Sequence, residues 1–169
     1  MTFILMTLLL TAAAITQTML PAYAILGEIK IPILLSFIIY YSLNRNVQTM
    51  LIAALVAGIL QDSLSLSPLG YSSAIFVFVG WVMSRYRGLV VADSFMTPIV
   101  FGAISGMAVT LMQALLLAHS GAINMAPFWI LLRILGSGFL CALVTPVVFL
   151  LTKMLDRAIG NIDIRENLQ

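Results

Sequence analysis

Read from the N-terminus, apolar residues gather into six runs separated by charges, prolines and glycines: Phe3 to Leu20, Ile31 to Leu43, Val47 to Gln61, Tyr71 to Met83, Phe95 to Leu117 and Phe128 to Leu151. None of them shows the period-two alternation of a membrane barrel strand, and in lipid every backbone amide must be bonded within its own helix or a closed barrel. The pattern therefore predicts an all-α polytopic membrane protein with six transmembrane helices. At 1.5 Å per residue the last two runs cross a hydrocarbon core of ~30 Å with ease, whereas the 13 residues from Ile31 to Leu43 reach only about 20 Å. The second and fourth runs are the short ones. Either they extend into flanking polar residues, or one is a re-entrant segment shielded by its neighbours.

Composition sharpens this picture. The chain is 62% hydrophobic and only 8% charged, with a mean hydropathy of +1.14, against roughly 25% charged residues in soluble domains. One integral membrane domain over residues 1–169 is expected, with no stretch polar and long enough to form a separate soluble unit. Residues 152–169, where Lys153, Asp156, Arg157, Asp163, Arg165 and Glu166 interleave with apolar positions, read as a cytoplasmic interfacial tail. A net charge of +2 from so few residues is too sparse for a nucleic-acid-binding face. Ala22-Tyr23-Ala24 after the first run resembles a signal-peptide cleavage site, but no Lys or Arg precedes the run, so the segment is taken as a retained span.

Lys and Arg in the short connections set the orientation. With the N-terminus inside, cytoplasmic connections carry Arg45, Arg85, Arg87, Lys153, Arg157 and Arg165, and the outer ones carry only Lys30. Both termini are expected in the cytoplasm, with Asp62, Pro68, Gly70 and His119 near the outer face.

Candidate chemistry is thin. No histidine pair at metal-ligand spacing and no phosphate-cradling loop occurs, so no metal, cofactor or catalytic residue is assigned. Cys141 sits within an apolar run as a small packing residue. Gly136-Ser137-Gly138 lies mid-helix, without the strand-to-helix turn of a nucleophile elbow. Two ionisable residues lie at membrane depth, Asp62 and Arg133, where an unpaired charge costs ~2.5–3.5 kcal/mol even on lenient scales. Their shared depth predicts that they interact, directly or through water, near the outer end of the bundle, either as an ion pair that fixes helix packing or as part of a polar site open to the outer side. Small residues at four-residue spacing, Ala53 and Ala57, Ala54 and Gly58, Gly102 and Gly106, suit close helix packing. Gly102, Ser105 and Gly106 form a candidate surface for a partner helix.

Gly58-Ile59-Leu60-Gln61-Asp62 followed by Ser67-Pro68-Leu69-Gly70 resembles the most recognisable segment of the MreD family of bacterial rod shape-determining membrane proteins. Pro32 opening a run that ends at Asn44-Arg45, Arg85-Tyr86-Arg87 closing the fourth run, and Pro146 followed by Phe149-Leu150-Leu151 and Lys153 fit the same resemblance. The specific part covers about Pro32 to Arg87; unlike some relatives, the chain has no basic residue before its first span. The motif has physical sense, since Pro68 blocks a helix and Gly70 permits positive φ, turning the chain back into the membrane. Asp62 is suited to cap that turn or the next helix.

The resemblance implies a non-enzymatic scaffold of the cell-elongation complex in the bacterial inner membrane. It would bind MreC directly, and through it reach the MreB filament, RodA and a penicillin-binding transpeptidase. The MreD family also looks like the six-helix substrate-binding subunits of energy-coupling factor transporters, which makes a vitamin-like solute-binding subunit the alternative.

The charge asymmetry generates a direct test of topology. With Cys141 replaced by Ala, a cysteine at Ser65 is expected to react with an impermeant maleimide only from the outer side, and one at Ser84 only from the cytoplasmic side. The opposite sidedness at either site would refute six spans with both termini inside.

Overall fold

The computed structural model describes residues 2–20, 32–64, 70–89, 96–119 and 127–158. They form six α-helices: α1 Thr2–Met19, α2 Ile33–Asn44, α3 Val47–Leu64, α4 Tyr71–Arg85, α5 Met96–His119 and α6 Pro127–Ala158, with a 3-10 turn at Arg87–Leu89 after α4. Each falls on one of the six apolar runs. The largest departure is at the C-terminal side, where α6 continues through Lys153 to Ala158, so the first part of the expected tail is helix packed on the bundle. Pro68 and Leu69 lie outside the described residues.

By length and composition, three helical stretches suffice to cross a membrane: Val47–Leu64, Met96–Leu116 and Phe128–Asp156; Met6–Met19 and Ile33–Asn44 are shorter apolar helices. The shortest of the six helices holds the centre. Every residue of α2 from Leu34 to Leu43 is buried, as befits a helix that is apolar all round. It touches each of the other five, which stand around it in the order α1, α3, α4, α5, α6, each touching the next. Among the described residues α6 and α1 make no contact, so the ring is open between them. At 12 residues α2 is about 18 Å long, and the helices around it shield its backbone from lipid.

Small residues set the closest helix approaches. A Cβ on Gly58 of α3 would overlap the Ser73 backbone of α4, so the two helices meet there with no side chain between them. On α5, a Cβ on Gly102 would lie 2.9 Å from the Cys141 carbonyl oxygen of α6, and one on Gly106 would lie 2.8 Å from the Ser137 carbonyl. Rising numbers on α5 thus meet falling numbers on α6, and the two helices form an antiparallel hairpin. Ser105 is fully buried. The surface formed by Gly102, Ser105 and Gly106 is therefore not open to a partner helix, because α6 occupies it. A small-residue period marks a close neighbour without saying which one.

These contacts predict a graded response in thermal unfolding of detergent-purified protein. Gly58→Ala is expected to cost about 2 kcal/mol by forcing two backbones apart, and Gly106→Leu more, through loss of the α5–α6 contact. Gly88→Ala, at a site with no atom within 4 Å of the added Cβ, should leave the transition near its original temperature. Equal effects at all three sites would contradict the packing described.

Candidate functional site

Most of the buried polar side chains with partners on other helices gather at the two ends of α2. The reason is physical: a helix leaves four N–H groups and four C=O groups unpaired at its ends, and where such groups are buried other polar groups must take them up.

At one end, α1 and α3 finish where α2 and α4 begin. The side chain of Gln17 on α1 accepts the Leu34 N–H at 3.2 Å, in the first turn of α2, while its Nε2 donates to Gln61 Oε1 of α3 at 2.7 Å. One residue further along α3, Asp62 is 2% exposed. Its Oδ2 accepts the Gly70 N–H at 2.7 Å and its Oδ1 accepts the Ser72 N–H at 3.1 Å. Gly70, with φ 102°, takes the left-handed conformation that favours glycine, and its carbonyl accepts the Ala74 N–H at 3.0 Å to start α4. The carboxylate thus sits on the amide end of α4, where the helix dipole favours negative charge.

This arrangement corrects one expectation. Asp62 and Arg133 are not paired: both carboxylate oxygens are taken up by α4 amides, and α3 makes no contact with α6, which carries Arg133, among the described residues. Arg133 is half-buried. Depth along the membrane normal is shared by residues on opposite sides of a bundle, so equal depth did not imply contact.

At the other end, α2 and α6 finish together beside the turn that follows α4. The Arg45 guanidinium pairs with Asp156 Oδ2 of α6 at 2.9 Å, the two side chains being 9% and 7% exposed. The Tyr40 hydroxyl donates to the same Oδ2 at 2.8 Å, and the Tyr40 ring meets Phe149 edge-on with centroids 5.2 Å apart. Arg87 closes the end of α2 by donating from Nε and Nη2 to the Ser42 carbonyl at 3.1 and 2.8 Å. In the sequence Arg45 and Arg87 bear on orientation and on the family resemblance, and Asp156 falls in the expected tail. The available signal was that Arg45 and Asp156 fell on the same side of the membrane, each adjoining an apolar run.

Between the two ends, hydroxyls line the helix contacts. Ser36 of α2 and Thr145 of α6 are 3.1 Å apart, and Ser137 donates to the Gly106 carbonyl at 3.0 Å. Thr152 returns its proton to the Val148 carbonyl of its own helix at 2.7 Å, as Ser and Thr commonly do in helices. Among the described residues no group of three His, Cys, Asp or Glu side chains converges as metal ligands would. Compared with family models, curated proteins and solved structures, the chain matches none.

Two double-mutant cycles follow. Asp62→Ala should destabilise the protein by about 2 kcal/mol through loss of the α4 cap, and adding Arg133→Met should change this by less than about 0.5 kcal/mol, as for sites without shared partners. Asp156→Ala should cost about 3–5 kcal/mol by removing the buried carboxylate that pairs with Arg45, and adding Arg45→Met should recover a large part of it. Strong coupling in the first cycle, or none in the second, would contradict the contacts above.

Proposed function

We propose that the chain is a non-enzymatic scaffold of the MreD kind in the bacterial cytoplasmic membrane, crossing it six times with both termini in the cytoplasm. In this role it binds MreC and, through it, joins MreB filaments to RodA and a penicillin-binding transpeptidase. The observation that carries the reading is the hairpin of α3 and α4. The motif residues that resemble the family act together there, since Gly58 brings the two helices into backbone contact, Asp62 caps α4 and Gly70 turns the chain. Contacts of this kind tie α3 and α4 into one packed unit, which suits a scaffold.

Two further features support it. Helix ends that meet around Arg45, Asp156 and Arg87 lie at the Lys- and Arg-rich end of the bundle, as the six-span topology requires. Gln17, Asp62, Arg45, Asp156 and Arg87 are engaged by backbone groups or by one another, although the buried Ser73 hydroxyl has no hydrogen-bond partner among the described residues. A solute pocket needs convergent donors and acceptors left open for a ligand.

With α6 covering Gly102 and Gly106, MreC must dock on another face of the bundle. The test is affinity purification of the intact protein from its own membrane, followed by mass spectrometry of both proteins and small molecules. Copurification with MreC is the expected result. Recovery with transporter ATPase subunits or a tightly held vitamin-like ligand would replace the scaffold by a solute-binding subunit.

A further inference from the structure

The two interfaces of α6 differ in kind. Against α5 it packs through glycines: Gly102 and Gly106 leave no room for a Cβ, and a Cβ on Gly138 would come within 2.7 Å of Met107. Against α2 it packs through apolar side chains and, in addition, through a row of polar contacts. Thr145, Phe149, Thr152 and Asp156 lie on one helix face, and three of them meet α2 through Ser36, Tyr40 and Arg45. Glycine-packed helices interlock by shape and separate only with loss of many van der Waals contacts. A hydrogen-bonded seam can exchange its partners with water or with other polar groups, and its charged pair is held against a desolvation cost that offsets much of its attraction.

The helix order adds a second, independent observation. Among the described residues α6 touches only α5 and α2, and α1, which would close the ring, lies out of contact. On the side facing α1, then, no other helix among the described residues covers α6, and its hold on the centre there runs through α2 alone.

We infer that α5 and α6 move as one hairpin against the unit formed by α1 to α4, and that the Arg45–Asp156–Tyr40 cluster is the latch that holds it closed on α2. Opening the latch widens the gap between α1 and α6 and exposes the Ser36 and Tyr40 face of α2, while the α5–α6 contact and the α3–α4 hairpin stay intact. The inference does not depend on the scaffold assignment.

Spin-label distances in lipid nanodiscs test it, using the full chain with Cys141→Ala and labels on exposed positions in the half of the bundle near the latch. Leu8 with Leu150 spans the gap, Val100 with Leu150 lies within the hairpin, and Leu8 with Ile52 lies within the other unit; all four positions are 40% exposed or more. In Asp156→Asn, and to a smaller extent in Tyr40→Phe, which keeps the ion pair and removes one hydrogen bond, the Leu8–Leu150 distribution should shift to longer distances. The other two pairs should keep their distributions. An unchanged Leu8–Leu150 distance in both variants, or broadening of all three pairs in both, would overturn the latch.

Discussion

A helix too short to cross a membrane stands at the centre of this protein, and its unpaired end groups govern much of the polar chemistry around it. In hydrocarbon an unsatisfied backbone group costs several kcal/mol. α2 meets that demand with side chains from other elements. Gln17 takes an amide in its first turn, and Arg87 takes a carbonyl in its last. α4, at 15 residues the next shortest, has its opening amides taken by Asp62. Residues that look like candidate chemistry in a sequence with few charges prove to be the means by which short helices end inside a bundle.

The same constraint explains why the helices around α2 are fixed where they are. A cap supplied by a neighbouring helix ties two elements together at one level, so Gln17 and Asp62 set the heights of α1 and α3 against the starts of α2 and α4. At the far end the Arg45–Asp156 pair ties α6 to α2. Between these levels the packing is largely apolar or glycine-mediated, with the Ser36–Thr145 and Ser137–Gly106 contacts as further points of registration. A buried ion pair is weak evidence of net stability, and here it aligns the ends of α2 and α6.

Much of the fold was legible from the apolar runs. The six helices coincide with them, and the tight turn at Arg45 and Asn46 follows from the short polar break between the second and third apolar runs. The role of Asp62 was legible too, because a carboxylate before Pro68 and Gly70 is placed to meet a new helix's amides. Three things were hidden. The centrality of α2 depends on what surrounds it, and a short run reads the same whether it is peripheral or enclosed. The continuation of α6 past Leu151 was masked by Lys153 and Asp156, whose charges look like the water's edge unless a partner such as Arg45 is known. The direction of the Gly102 and Gly106 face was also closed to the sequence, since spacing defines a stripe on a helix and not the neighbour that covers it.

The ends of α2 are closed by side chains from its neighbours, and hydrogen–deuterium exchange at the first turn of α2 in lipid nanodiscs measures that closure. In the intact protein the Leu34 amide should exchange slowly. In Gln17→Leu that amide should lose its protection while those in the middle of α2 keep theirs. Rapid exchange at Leu34 in the intact protein, or protection untouched by Gln17→Leu, would contradict the account.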